Sequence, residues 1–132
     1  MRNQPQISVM QIIPLFKVKD MAAAIRHYTE VLDFRMTWPE DTADSAVVDL
    51  GHEQMEIQLT THESDRLFGS IVYVHVTDVD SLFAKFLGRG LNTSGRLDSP
   101  VHQGPTDQTW GRREFYVTDA DGNTLRYCQN IS

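Results

Sequence analysis

Two stretches of the chain align on each other without a gap. Val18-Lys-Asp-Met-Ala-Ala-Ala-Ile-Arg-His-Tyr-Thr-Glu-Val-Leu-Asp-Phe34 lies over Val76-Thr-Asp-Val-Asp-Ser-Leu-Phe-Ala-Lys-Phe-Leu-Gly-Arg-Gly-Leu-Asn92. Each opens at the end of an apolar run and places Asp20 or Asp78 where a short acceptor side chain caps a helix. Each continues with apolar residues at helical spacing: Met21, Ala24, Ile25, Tyr28, Val31 and Leu32, then Val79, Leu82, Phe83, Phe86 and Leu87. Gly88-Arg-Gly90 supplies a C-cap for the second helix. A chain that repeats this start must bury two amphipathic helices on two copies of one sheet unit.

β-prone segments surround both helices. Around the first they are residues 11–18, 35–38, 46–50 and 55–60; around the second they are 70–76, 93–97, 114–118 and 124–129. The order is βαβββ twice, an α+β chain in one domain of 132 residues. Module 1 covers about residues 10–66, module 2 about 67–132, and residues 1–9 form a leading arm. A ferredoxin-like sandwich would need fewer strands after each helix.

The last hairpin is the most specific element. Glu114 to Thr118 and Leu125 to Cys128 flank Asp119-Ala-Asp-Gly-Asn123, whose glycine and short polar side chains suit a turn with positive φ. With the tandem modules, this hairpin resembles that of the vicinal oxygen chelate superfamily, which holds glyoxalases, extradiol dioxygenases and bleomycin resistance proteins. The resemblance implies curved mixed sheets around a cavity, with the helices outside. It also implies a metal-binding glutamate four residues after the glycine, where this chain has Arg126, a cation that cannot ligate. An arginine likewise replaces that glutamate in the bleomycin resistance proteins, which the ending Thr124-Leu-Arg-Tyr-Cys-Gln-Asn130 resembles most. Those proteins are homodimers that sequester a drug without altering it, and their N-terminal segment often crosses to the partner.

Carried over strand by strand, the superfamily's ligand positions fall on Ile13, Gln58, Val72 and Arg126, none of them a histidine or carboxylate. Alternation puts Gln54, Glu56 and Gln58 on the cavity side with Thr124, Arg126 and Cys128, and puts His75 on the helix side. The reading is therefore a small-molecule-binding protein with no metal, no cofactor and no catalytic residues. Its expected ligand-binding residues are Trp38, Glu56, Gln58, His102, Trp110, Glu114 and Arg126. The tryptophans offer stacking surfaces and the others orienting polar groups. An Arg126–Glu pair is the structural alternative for two of them. The polar segment Asp98 to Thr109 reads as a lid or binding loop.

The alternative is a metal-dependent lyase, isomerase or dioxygenase that draws ligands from His52, Glu56, His62 and His102. A regulatory module is a third reading. The formal charge of −6 disfavours nucleic acid and points weakly to a cationic ligand, although acidity is as often a solubility device. No apolar run has the length of a membrane span. A lone cysteine, Cys128, suits a reducing cytoplasm. The expected partners are thus a cationic or aromatic small molecule and a second copy of the chain.

Overall fold

The structure, a computed structural model, describes residues 7–131. Residues 1–6 of the proposed arm lie outside the described residues, and Ile7 to Met10 are exposed without regular secondary structure.

Module 1 runs β1 (Leu15–Lys17), α1 (Met21–Arg26), β2 (Arg35–Met36), β3 (Val47–His52) and β4 (Met55–Thr60). Module 2 runs β5 (Ile71–His75), α2 (Val79–Gly88), α3 (Pro100–Gln103), β6 (Thr106–Asp107), β7 (Arg112–Thr118) and β8 (Thr124–Asn130). The strands form two four-stranded sheets of matching order, β1-β4-β3-β2 and β5-β8-β7-β6. In each the first pairing is parallel and the other two antiparallel. These are the tandem βαβββ modules of the sequence, curved but not closed into a barrel.

Both helices start where expected. Asp20 accepts from the Ala23 N–H at 3.0 Å, and Asp78 accepts from the Ser81 N–H at 3.0 Å. The first helix widens into a π-helical turn over His27–Val31, a geometry often found where a helix face must be re-aimed. The second ends at Gly88, and Gly90 takes a positive φ of 102° that lets the Leu91 N–H reach back to the Phe86 carbonyl.

One segment departs from expectation. Residues 93–97 form no strand; Ser94–Arg96 is a 3₁₀ turn. The Asn92 carboxamide accepts from the Ser94 N–H at 2.9 Å and from its hydroxyl at 2.6 Å, a local bond that outcompetes weak β propensity. Pro100 then opens α3, and the sixth strand comes only at Thr106–Asp107. The expected loop over 98–109 is thus half built into helix and strand, and the Gln103 amide ties it back to the carbonyls of Thr93 and Arg96.

The core lies between the helices and the sheets. Phe16, Val48, Leu50, Ile57 and Leu59 face α1, while Phe115, Val117, Leu125 and Tyr127 face α2. Phe115 stacks on Tyr127 with ring centroids 5.0 Å apart, and Phe83 and Phe86 meet Phe115 edge-on. The two modules meet around the last turn. Asn123, fully buried, donates to the Lys17 carbonyl at 2.9 Å and accepts from the Ser70 N–H at 3.0 Å. Beside it Asp119 accepts from the buried Tyr28 hydroxyl at 2.7 Å.

Candidate functional site

The face of each sheet turned away from its helix carries most of the expected site residues. In module 2 the register sets Tyr73, Arg126 and Tyr116 abreast across β5, β8 and β7. The next row is His75, Cys128 and Glu114. Strand partners share a face, so all six side chains project to the concave side. This resolves β7, whose parity the sequence leaves open: Glu114 and Tyr116 face the cavity side, and Phe115 and Val117 the core.

It also corrects β5. Val72 and Val74 pack against the core, so Tyr73 and His75, not Val72, point to the concave face. His75 is therefore not on the helix side. Within Ile71-Val-Tyr-Val-His75 the more polar Tyr73 and His75 alternate with Val72 and Val74, and the structure follows that alternation. By the same register Leu15, not Ile13, lies beside Gln58 in module 1; Ile13 precedes β1. The corrected set of Leu15, Gln58, Tyr73 and Arg126 still offers no histidine or carboxylate. Among the described residues no three His, Cys, Asp or Glu side chains converge as a metal site.

Glu114 is fully buried, and both of its oxygens are occupied. The Trp110 indole N–H donates to Oε2 at 2.9 Å and the Tyr116 hydroxyl to Oε1 at 2.9 Å. Trp110 is thereby anchored through its indole N–H, and the residue remains 57% exposed. Burial, with the bond to Glu114 and that carboxylate's charge, raises the Tyr116 pKa and keeps the phenol a donor. Arg126 lies over the rings of Tyr116 and Tyr73, its guanidinium carbon 4.7 and 5.5 Å from their centroids. The expected Arg126–Glu pair does not form: among the described residues Arg126 enters no ion pair.

His102 joins this face through Tyr116, whose ring it meets edge-on at 5.8 Å. Its Nδ1 hydrogen-bonds Ser99 Oγ and its Nε2 Thr118 Oγ1, both at 2.8 Å. Ser99 and His102 have the spacing of a nucleophile and its base, but a threonine hydroxyl stands where an orienting carboxylate would be.

Module 1 carries a smaller set. Asp49 accepts from the Trp38 indole N–H at 2.9 Å and from the Gln58 amide at 3.0 Å. Glu56, half-buried, lies opposite Gly51 on the same face. Among the described residues no hydrogen bond or ion pair links Trp38, Glu56 and Gln58 to the Trp110–Arg126 group, so one chain brings the expected residues together as two clusters. Sequence reasoning passed over Asp49, although its place between the core residues Val48 and Leu50 marks its parity. It also missed Tyr73 and Arg112.

Burial lowers the pKa of His27 and of His102, with the Arg96 charge adding to the effect at His102. Both side chains thus bind a proton less readily in the folded chain than in the unfolded one, where the ordinary histidine value of 6.5 applies. Below that pH the unfolded state holds more protons, so stability falls as pH drops through 6.5. Urea midpoints on either side of that pH should fall on the acid side, and the difference should shrink in a His27→Gln, His102→Gln double variant.

Comparison with known proteins agrees with this fold. Among solved structures, TioX from Micromonospora sp. ML1 is similar with a TM-score of 0.70 and 19% identity, over 93% of this chain and 100% of that one. A bleomycin-binding protein from bleomycin-producing Streptomyces verticillus, complexed with copper(II)-bleomycin, gives 0.66 and 19% over 96% and 99%. The bleomycin resistance determinant encoded on the transposon Tn5 gives 0.66 and 18% over 92% and 98%. At such identities the likeness is one of fold. Among curated proteins the sequence finds no match. The family model of the Glyoxalase/Bleomycin resistance protein/Dioxygenase superfamily matches residues 14–127. With that match spanning both modules and the closing hairpin, the chain belongs to this superfamily.

Proposed function

We propose that the chain binds a small molecule on the concave faces of its sheets, as a cytoplasmic homodimer, and releases it unchanged. The observation that carries the reading is an aromatic and polar face left open to solvent. Trp110 and Arg126 are held by their neighbours, with Trp110 exposed and Arg126 half-buried. Trp38, Glu56, Gln58, His102 and Glu114 complete the proposed lining, with no metal and no cofactor. The bleomycin-binding neighbours lend support by what they carry, and a bleomycin-type drug or another natural product would each suit the reading.

The dimer is part of the proposal. Leu15, Trp38, Val47, Ile71, Tyr73 and Trp110 are exposed apolar or aromatic residues, as are Ile7, Val9, Met10 and Ile12 ahead of β1. A second copy, with residues 1–9 crossing to it, would cover this surface and bring the two clusters of different chains face to face. Light scattering should return twice the 15.1 kDa chain mass; a monomer at all concentrations would sink the dimer.

Ligand binding is tested by tryptophan fluorescence. Titration with bleomycin and a panel of aromatic natural products should quench emission, and Trp110→Leu should abolish most of the quench. A panel that leaves the emission unchanged would defeat the binding reading. Elemental analysis of protein purified without chelator or metal affinity resin should give a metal-to-chain ratio near zero, because the positions that correspond to the superfamily's ligands hold Leu15, Gln58, Tyr73 and Arg126. One tightly held metal per chain would favour the enzyme reading.

A further inference from the structure

Arg126 is not alone on its face. The Arg112 side chain reaches from the far end of β7 to place its guanidinium carbon 5.3 Å from the Tyr73 ring centroid, on the ring that Arg126 approaches at 5.5 Å. Two guanidinium groups thus converge on one phenol. Among the described residues neither enters an ion pair. The nearby carboxylate, Glu114, has both oxygens committed to Trp110 and Tyr116. The polar contact of Arg126 in the chain is a long one, Nη1 to the Tyr73 hydroxyl at 3.5 Å, and its Nε is buried without a partner.

Two other arginines are paired with carboxylates, while Arg26, Arg35, Arg66 and Arg96, like Arg112 and Arg126, enter no ion pair among the described residues. Arg113, the sequence neighbour of Arg112, contacts both Asp80 and Asp107, and Arg89 contacts Asp33. The chain as a whole has a formal charge of −6, so carboxylates are in excess. Two guanidinium groups drawn to one ring and paired with no carboxylate leave positive charge on the face, which an anion bound near Tyr73 would offset. A guanidinium fork matches the two oxygens of a carboxylate, and the exposed Trp110 ring supplies a stacking surface on the same face.

We propose that the concave face of module 2 recognises the carboxylate of a planar aromatic acid, with Arg126 and Arg112 as its anion receptors and Trp110 as its stacking wall. This rests on the small-molecule-binding reading and gives that site a ligand class. The overall negative charge pointed weakly to a cation; the local charge points the other way.

A series of naphthalenes that differ only in charge tests it on the unmodified full chain: naphthoate, naphthamide and naphthylmethylammonium, with naphthyl phosphate to separate planar from tetrahedral anions. Naphthoate should bind about tenfold more tightly than the amide, the size of one charge-assisted hydrogen-bond pair. Its affinity should fall with added salt while that of the amide holds. In Arg126→Gln naphthoate should drop to the level of the amide, and Arg126→Lys should restore little because the fork is lost. Equal or better binding of the amide or the ammonium compound would overturn the carboxylate assignment and leave the binding reading standing. Tighter binding of the phosphate would overturn the planar acid in favour of a phosphoryl ligand. Failure of all four to bind would overturn the assignment, while the natural-product titration decides separately whether the face binds anything.

Discussion

Asn123→Ala is expected to lower the unfolding free energy by about 2–4 kcal/mol, the range for removing a buried amide whose partners are left unpaired. Asn123 is fully buried and reaches three parts of the chain at once. It donates to the Lys17 carbonyl at the end of β1 and to Asp119 in its own turn, and it accepts from the Ser70 N–H ahead of β5. Truncation leaves a carbonyl of one module and an N–H near the other without partners, away from water. Chemical unfolding followed by far-ultraviolet circular dichroism measures the loss. A change under about 0.5 kcal/mol, the usual range for a surface substitution, would mean that the turn does not hold the modules together.

Phe115→Ala should cost more, about 3–5 kcal/mol. The ring is fully buried, lies flat against Tyr127 and meets Phe83 and Phe86 edge-on. Removing it opens a cavity walled by three aromatic rings that stiff sheet and helix backbones keep from collapsing. The mutation sits one residue from Glu114 and from Tyr116 but points to the other face. A surviving fold should therefore keep its ligand affinity while losing denaturant resistance. Loss of affinity in protein that remains folded would show that the concave face depends on the core behind it.

These two residues mark what the sequence makes legible. Phe115 alternates with Glu114 and Tyr116 in β7, but which of the two faces is buried stays open until its pairing with Tyr127 of β8 shows it. The Asp20 and Asp78 caps are local signals and stand where spacing places them. The role of Asn123 is different, because a turn asparagine suggests turn geometry and gives no hint of a bond to residue 17. The helix-side expectation for His75 comes from carrying the ligand position onto Val72, against the alternation of Tyr73 and His75 with Val72 and Val74 in β5 itself. Arg112 escaped notice because a long side chain that crosses two rows of a sheet leaves no trace in spacing. The missing strand at 93–97 was decided by one Asn92 side chain. Short-range physics could be read from residues in order; long arms and contacts across modules could not.

The tie through the final turn also bears on how the protein is made. Tyr28 waits for an acceptor 91 residues later in the chain, and the Lys17 carbonyl for a donor 106 residues later. While the chain leaves the ribosome, module 1 is translated in full long before Asp119 and Asn123 arrive. Until then the Tyr28 hydroxyl and the Lys17 carbonyl lack their protein partners, and the strand β1 is only three residues long. Pairings of such separation delay folding, because the loop must close before the contacts reward it. A ribosome stalled a few residues short of the last turn should therefore hold an unfolded first half, and release of that turn should let both halves set together.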